Sequence, residues 1–371
     1  MHLSNLPVEL LLSISDYLEL DSDVNALVQV SRCFYENLNG YLYLRHVQYF
    51  GSRTLLQAAQ LGQEGTARKL IKAGADVNVQ FMIAYKETPL AAAAEHGHDR
   101  IVQLLLDKGA DLHEKVDYYG SVLILAAQEG HEHVVKLLVD RGIDVNAQGR
   151  PHGNALNAAS CEGHAQIVRL LLKSGANIHA HGGRDDNALQ AASRRCHEQV
   201  MEILIDHGAD INMQGGEGGY ALHVATHSVQ ILQLLLDRGA DVNAQGGEWN
   251  TALQVASYFG RSDAVQLLLD YGADVNLQGG LKGNALNAAL DGQAGYDRWE
   301  DYKPVLKLLL DKGADVDGNG YALSNKIYAA WFQMYRVKAK LKGLVQSSSE
   351  NVAQRWTPAP VRPSESSEIE W

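Results

Sequence analysis

The chain has 371 residues, a net charge of −12 and 20% charged residues, with room for about two or three domains of ordinary size. An acidic balance argues against a grip on nucleic acid, which needs a basic face, and no apolar run approaches the roughly 18 residues of a membrane span. Three cysteines, Cys33, Cys161 and Cys196, form no paired framework, and the N-terminus lacks the basic lead of a secretion signal; both point to the cytoplasm or nucleus.

Residues 1–50 read as three short helices. Pro7 fits the first turn of one, and Leu10, Ile14 and Leu18 then line a single face. Asp21 or Ser22 can cap a second helix and Ser31 a third. A unit this small buries little surface alone and gains from a partner. The Leu6-Pro7 start, the Glu9-Leu10 pair and the Val30-Ser31-Arg32-Cys33-Phe34 close resemble the F-box. That resemblance implies binding to a Skp-family adaptor and, through it, to a cullin ubiquitin ligase. It places Leu6, Pro7, Leu10, Ile14, Leu18, Val30, Ser31 and Phe34 at or beneath the adaptor interface.

From residue 51 a five-residue cadence takes over, first met as Gly74-Ala75-Asp76-Val77-Asn78. Its glycines fall at 74, 109, 142, 175, 208, 239, 272 and 313, in steps of 35, 33, 33, 33, 31, 33 and 41 residues. A period near 33 predicts a stack of similar units. Behind each glycine lie two apolar patterns of helical spacing, such as Leu123 to Ala127 and then Val134 to Val139. Each unit is therefore two helices and a turn, with a glycine at positive φ closing the second helix and others, Gly97, Gly130, Gly163 and Gly260, between the helices. Thr88-Pro89-Leu90 and Thr251-Ala252-Leu253 open first helices, while Asn154, Asn187 and Asn284 supply N-caps elsewhere.

Period, cadence and helix pattern together resemble the ankyrin repeat over roughly residues 52–318, and the Gly-Gly pairs before the openings resemble fungal ankyrin arrays. The implied fold is all-α: an F-box at 1–50, then an ankyrin α-solenoid of about eight units with β-turn fingers at 51–318. A capping helix is expected at 319–345, where Ile327, Trp331, Met334 and Leu341 keep helical spacing, and a disordered tail at 346–371, rich in Ser, Pro and Glu. Three units depart from regularity. Cys196 replaces the turn glycine of repeat five, at a cost of roughly 1–2 kcal/mol if it is left-handed. Repeat six lacks two residues around Thr226 to Ser228, which is expected to leave its second helix less room. Repeat eight gains eight, between Gly292 and Pro304. The array is expected to open first over about residues 190–235.

The histidines invite a metal reading, but His98, His131 and His164 each follow an inter-helix glycine and so belong to the repeat. No zinc-module spacing, phosphate loop or nucleophile motif appears, so neither a metal, a cofactor nor an enzymatic activity is expected. Binding is expected on the face made by fingers and first-helix ends. Its variable positions include Gln128-Glu129, Cys161-Glu162, Arg194-Arg195 and Tyr258-Phe259, and its anchors would be Tyr118, Tyr119, Arg194, Arg195, Trp249, Tyr258, Phe259 and Trp299. The two resemblances together imply the target-recognition subunit of a Skp-cullin-F-box ubiquitin ligase. The alternative is a non-catalytic ankyrin scaffold, such as a transcriptional co-regulator.

Overall fold

A computed structural model describes residues 53–82, 86–113, 120–183, 187–216, 218–294 and 299–315. The F-box segment, the helix expected at 319–345, the tail, Tyr118 and Tyr119 all lie outside the described residues. Within them the chain forms eight helix pairs. The pairs are α1 (Arg53–Gln60) with α2 (Glu64–Lys72), α3 (Pro89–Glu95) with α4 (Asp99–Asp107), α5 (Val122–Gln128) with α6 (Glu132–Asp140), and α7 (Ala155–Glu162) with α8 (Ala165–Lys173). They continue as α9 (Ala188–Arg195) with α10 (Glu198–Asp206), α11 (Ala221–Val224) with α12 (Val229–Asp237), α13 (Ala252–Tyr258) with α14 (Ser262–Asp270), and α15 (Ala285–Ala294) with α16 (Trp299–Asp311).

Small residues let first helices pack directly on first helices, so Leu90 to Ala94 and Val122 to Ala127 are buried along their whole length. Second helices are amphipathic and bury one stripe each, for example Ile101, Val102, Leu104 and Leu105 on α4. Each such Leu, Ile or Val contributes about 1.5–3 kcal/mol when it leaves water, and only the neighbouring pair can cover it. The expected caps form: Asn154, Asn187 and Asn284 accept from the backbone N–H three residues on, as do Thr88 and Thr251. Between pairs run short fingers. One is a two-stranded hairpin, β1 (Phe81–Met82) against β2 (Lys86–Glu87), and three others close on a single bridge, such as Gly149 to Gly153.

The cadence has a physical role at the repeat boundary. All eight of its glycines have φ between 82° and 92°, and its Asp turns the chain by accepting from the N–H two residues on, as Asp76 does from Asn78 at 2.9 Å. Its Asn reaches forward: Asn78 Nδ2 donates to the Gly109 carbonyl, and Asn78 Oδ1 accepts from Asp111 N–H at 2.8 Å. Asn146, Asn212, Asn243 and Asn276 repeat this clasp onto the next cadence.

A second tie runs backward. His98, His131, His164 and His197 precede their second helices, and each donates Nε2–H to a carbonyl of the previous repeat, at Gln60, Glu95, Gln128 and Cys161. Each ring lies flat against the previous inter-helix glycine. A Cβ added at Gly130 would fall 2.5 Å from His164 Cε1. The histidine and the glycine one repeat earlier therefore form one device.

That device explains the irregular units. Cys196 takes the left-handed conformation expected of it, φ 59° and ψ 36°. Its Cβ occupies the space that the next repeat's ring would need, and the next repeat is the shortened one. The shortening falls on the first helix rather than on the docking of the second. The helix α11 has four residues and ends in a 3₁₀ turn, Ala225–His227, while α12 keeps nine residues and buries Ile231, Leu232, Leu235 and Leu236. His227 is thereby drawn aside: its Nδ1 donates to the Val224 carbonyl, so its Nε2 accepts from the Cys196 thiol at 3.2 Å. The insertion in repeat eight extends the helices α15 and α16 to 10 and 13 residues. It also supplies Tyr302, whose hydroxyl donates to the Tyr258 carbonyl at 2.7 Å while its ring covers Gly260. The tyrosine does the work of the missing histidine.

Candidate functional site

The fingers before repeats seven and eight each set one residue against the end of the first helix that follows, nine positions later in sequence. Trp249 meets Tyr258 with ring centroids 4.3 Å apart, and Lys282 pairs with Asp291 at 2.5 Å. These finger and first-helix ends thus present exchangeable side chains on a common frame.

The shortened repeat six opens this face into a cavity of about 400 Å³, lined by Arg194 from repeat five, His223, Thr226 and His227 from repeat six, and Glu248, Trp249, Phe259 and Arg261 from repeat seven. Tyr258, Phe259 and Trp249 pack edge-on and tilted around one another, Tyr258 to Phe259 at 5.1 Å and Trp249 to Phe259 at 6.0 Å. Phe259 stays 48% exposed, while Trp249 and Tyr258 are half-buried. Arg261 stands where its siblings carry the tying histidine. Its guanidinium lies 4.6 Å over the Phe259 ring, donates to Thr226 Oγ1 at 2.7 Å, and forms no ion pair among the described residues. Partial burial lowers its pKa from the usual guanidinium value.

His223 borders the cavity and is only 3% exposed. The first helices of repeats four to seven carry a polar side chain at this register that reaches the next finger: Asn157 to the Gly182 carbonyl, Gln190 to Gly219, Gln254 to Gly283. His223 does so through Nε2–H to the Ala244 carbonyl at 3.1 Å. Burial pushes its pKa down to about 4, against the smaller upward effect of that hydrogen bond.

Of the anchors expected from sequence, the structure brings Arg194, Trp249 and Phe259 together around one cavity, with Tyr258 packed against the two aromatic rings. Arg195 is exposed and points to the neighbouring unit, 3.9 Å from Glu162. Trp299 begins the helix α16, and its side chain lies outside the described residues, as do Tyr118 and Tyr119. Arg261, His223 and Glu248 were not singled out by sequence reasoning. Arg261 was visible as the residue that breaks the Gly-His pattern after Gly260. A second cluster also escaped notice: His152, Cys161 and Glu162 hold their ligand-type atoms within 4.8 Å of one another. No helix among the described residues is long and apolar enough to cross a membrane.

Comparisons agree with this architecture. The family described as ankyrin repeats (3 copies) matches residues 37–116, 55–149, 123–215, 156–246 and 189–279. The solved ankyrin repeat domain of human ASB11 is similar at 26% identity and a TM-score of 0.53, over 60% of this chain and 98% of that one. No curated protein sequence matches the chain. The family match spans more than half of the residues, and the helix pairs, fingers and cadence clasps are those of its repeat: the chain belongs to the ankyrin-repeat family.

Proposed function

We infer that the chain is the target-recognition subunit of a Skp-cullin-F-box ubiquitin ligase, within the protein-interaction role that an ankyrin array supports. The adaptor half of this reading rests on the F-box resemblance of residues 1–50, and the domain plan is F-box, array, capping helix and tail. The observation that carries target capture is the cavity of repeats five to seven, where Trp249, Phe259 and Arg261 meet on the face of fingers and first helices. Aromatics beside an arginine are the side chains that dominate binding at protein interfaces. Arg194 and Arg261 over an aromatic shelf suit a target segment that carries an acidic side chain next to an apolar one. The chain does no bond chemistry in this reading. It raises the effective concentration of a target lysine near the ubiquitin donor, at work in the cytoplasm or nucleus.

The test is a two-arm co-purification. Leu6→Ala with Pro7→Ala should strip the Skp-family adaptor and leave the target bound. Trp249→Ala with Phe259→Ala should lose the target and leave the adaptor bound, because distant parts of a solenoid are energetically near-independent. Full adaptor recovery by the Leu6/Pro7 variant defeats the adaptor-site assignment, while a parent chain that recovers no Skp-family adaptor defeats the ligase assignment and leaves a plain interaction scaffold.

A further inference from the structure

The nine-residue step that seats Trp249 on Tyr258 brings a different chemistry together in repeat four. His152 stands in the finger, and Cys161 and Glu162 end α7. The imidazole, thiol and carboxylate lie within 4.8 Å of one another, and the thiol is 2% exposed while the other two are half-buried. The Cys161 backbone is held by the tie from His197 Nε2 to its carbonyl at 2.9 Å. One nitrogen, one sulfur and one oxygen donor, two of them anionic once the thiol ionises, match the ligand types and charge that zinc takes.

We propose that His152, Cys161 and Glu162 form a binding site for one zinc-class divalent cation on the partner face, with water in the fourth position. Tetrahedral coordination at about 2.0–2.3 Å needs ligand atoms roughly 3.5 Å apart. The half-buried His152 and Glu162 side chains close the remaining distance by changing rotamer, while the backbone of Cys161 stays fixed. Glu162 leaves Arg195, which now lies 3.9 Å away. The cation replaces the thiol proton, which passes to solvent, so affinity rises with pH until the thiol is ionised. Thiolate and carboxylate together neutralise the doubly charged ion. The site does not depend on the adaptor reading, because it uses residues of the array alone.

Cobalt titration of the full chain tests this site, with Co²⁺ as the coloured substitute for Zn²⁺. The expected result is a thiolate-to-cobalt charge-transfer band that saturates at one equivalent and disappears when Zn²⁺ is added. Cys161→Ser should abolish the band and Cys196→Ser should leave it unchanged. His152→Ala and Glu162→Gln should each weaken binding by at least tenfold, with helical circular dichroism unaltered. Absence of the band in the parent chain overturns the proposal. So does a band that survives Cys161→Ser, or one whose affinity is untouched by His152→Ala.

Discussion

Repeats two to four and repeats five to seven are built to the same period, yet they solve the boundary between units differently. In the first group a histidine of one unit lies on the glycine of the unit before, and neither residue can change alone. In the second group the glycine has become Cys196, the following first helix is short, and Arg261 and Tyr302 take over as ties. The regular boundary leaves no space. The irregular one leaves a cavity with aromatic walls and a half-buried guanidinium. What separates the two regions is therefore the trade of a tight joint for a recessed surface.

Acid should separate them most. His223 has a pKa of about 4 when folded and 6.5 when unfolded. A histidine whose folded value is depressed contributes stability above its unfolded pKa and loses it as pH falls through the window from 6.5 to about 4. The full loss is about 3 kcal/mol. Arg194 and Arg261 line the same cavity and oppose a further positive charge there, while Glu248 partly offsets them. Hydrogen exchange should show repeats five to seven opening in that window before repeats two to four. His223→Gln, which copies Gln190 and Gln254, should flatten the response. An unchanged acid profile in that variant would assign the loss to other groups.

Gly130→Ala attacks the regular joint instead. The new methyl would sit at φ 81° and 2.5 Å from the His164 ring. Left-handed strain of about 1–2 kcal/mol and a lost hydrogen bond of about 1 kcal/mol predict destabilisation of about 2–3 kcal/mol by chemical denaturation. A loss under about 0.5 kcal/mol would mean that the histidine swings aside freely and that the tie is not a constraint. The smallest effect is expected from Cys196→Gly. Relief of strain, at about 1–2 kcal/mol, is partly offset by loss of the thiol contact to His227. Exchange over residues 190–235 should slow modestly. Faster exchange would show that the thiol–imidazole contact outweighs the strain.

The regular half was legible because its signals are local or strictly periodic. The N-caps at Asn154 and Asn187 lie three residues from their acceptors' partners, and the cadence glycines announce their own φ. The histidines could be assigned to the repeat from their position after a glycine, though not to the carbonyl each one reaches. The irregular half was legible only as departures. Cys196 and the missing residues near Thr226 looked like two separate faults, since the contact that couples them spans 31 positions. Tyr302 looked like one aromatic in an insertion, and its partner carbonyl is 44 positions away. The cluster of His152, Cys161 and Glu162 escaped because its ligand step of nine matches no zinc-module spacing. It is set by the reach from a finger to a helix end.

The two kinds of tie between neighbouring units are distributed so that one covers for the other. His113 and His179 stand where the clasping Asn would be, and among the described residues neither bridges to the next cadence. Those are the boundaries between repeats two and three and between four and five, where His131 and His197 keep the backward tie intact. Between repeats five and six and between six and seven the backward tie is remodelled, and there Asn212 and Asn243 supply the forward clasp. The array is fault-tolerant: a unit can surrender one fastening to variation, and so acquire a new surface, while the other fastening keeps the stack in register.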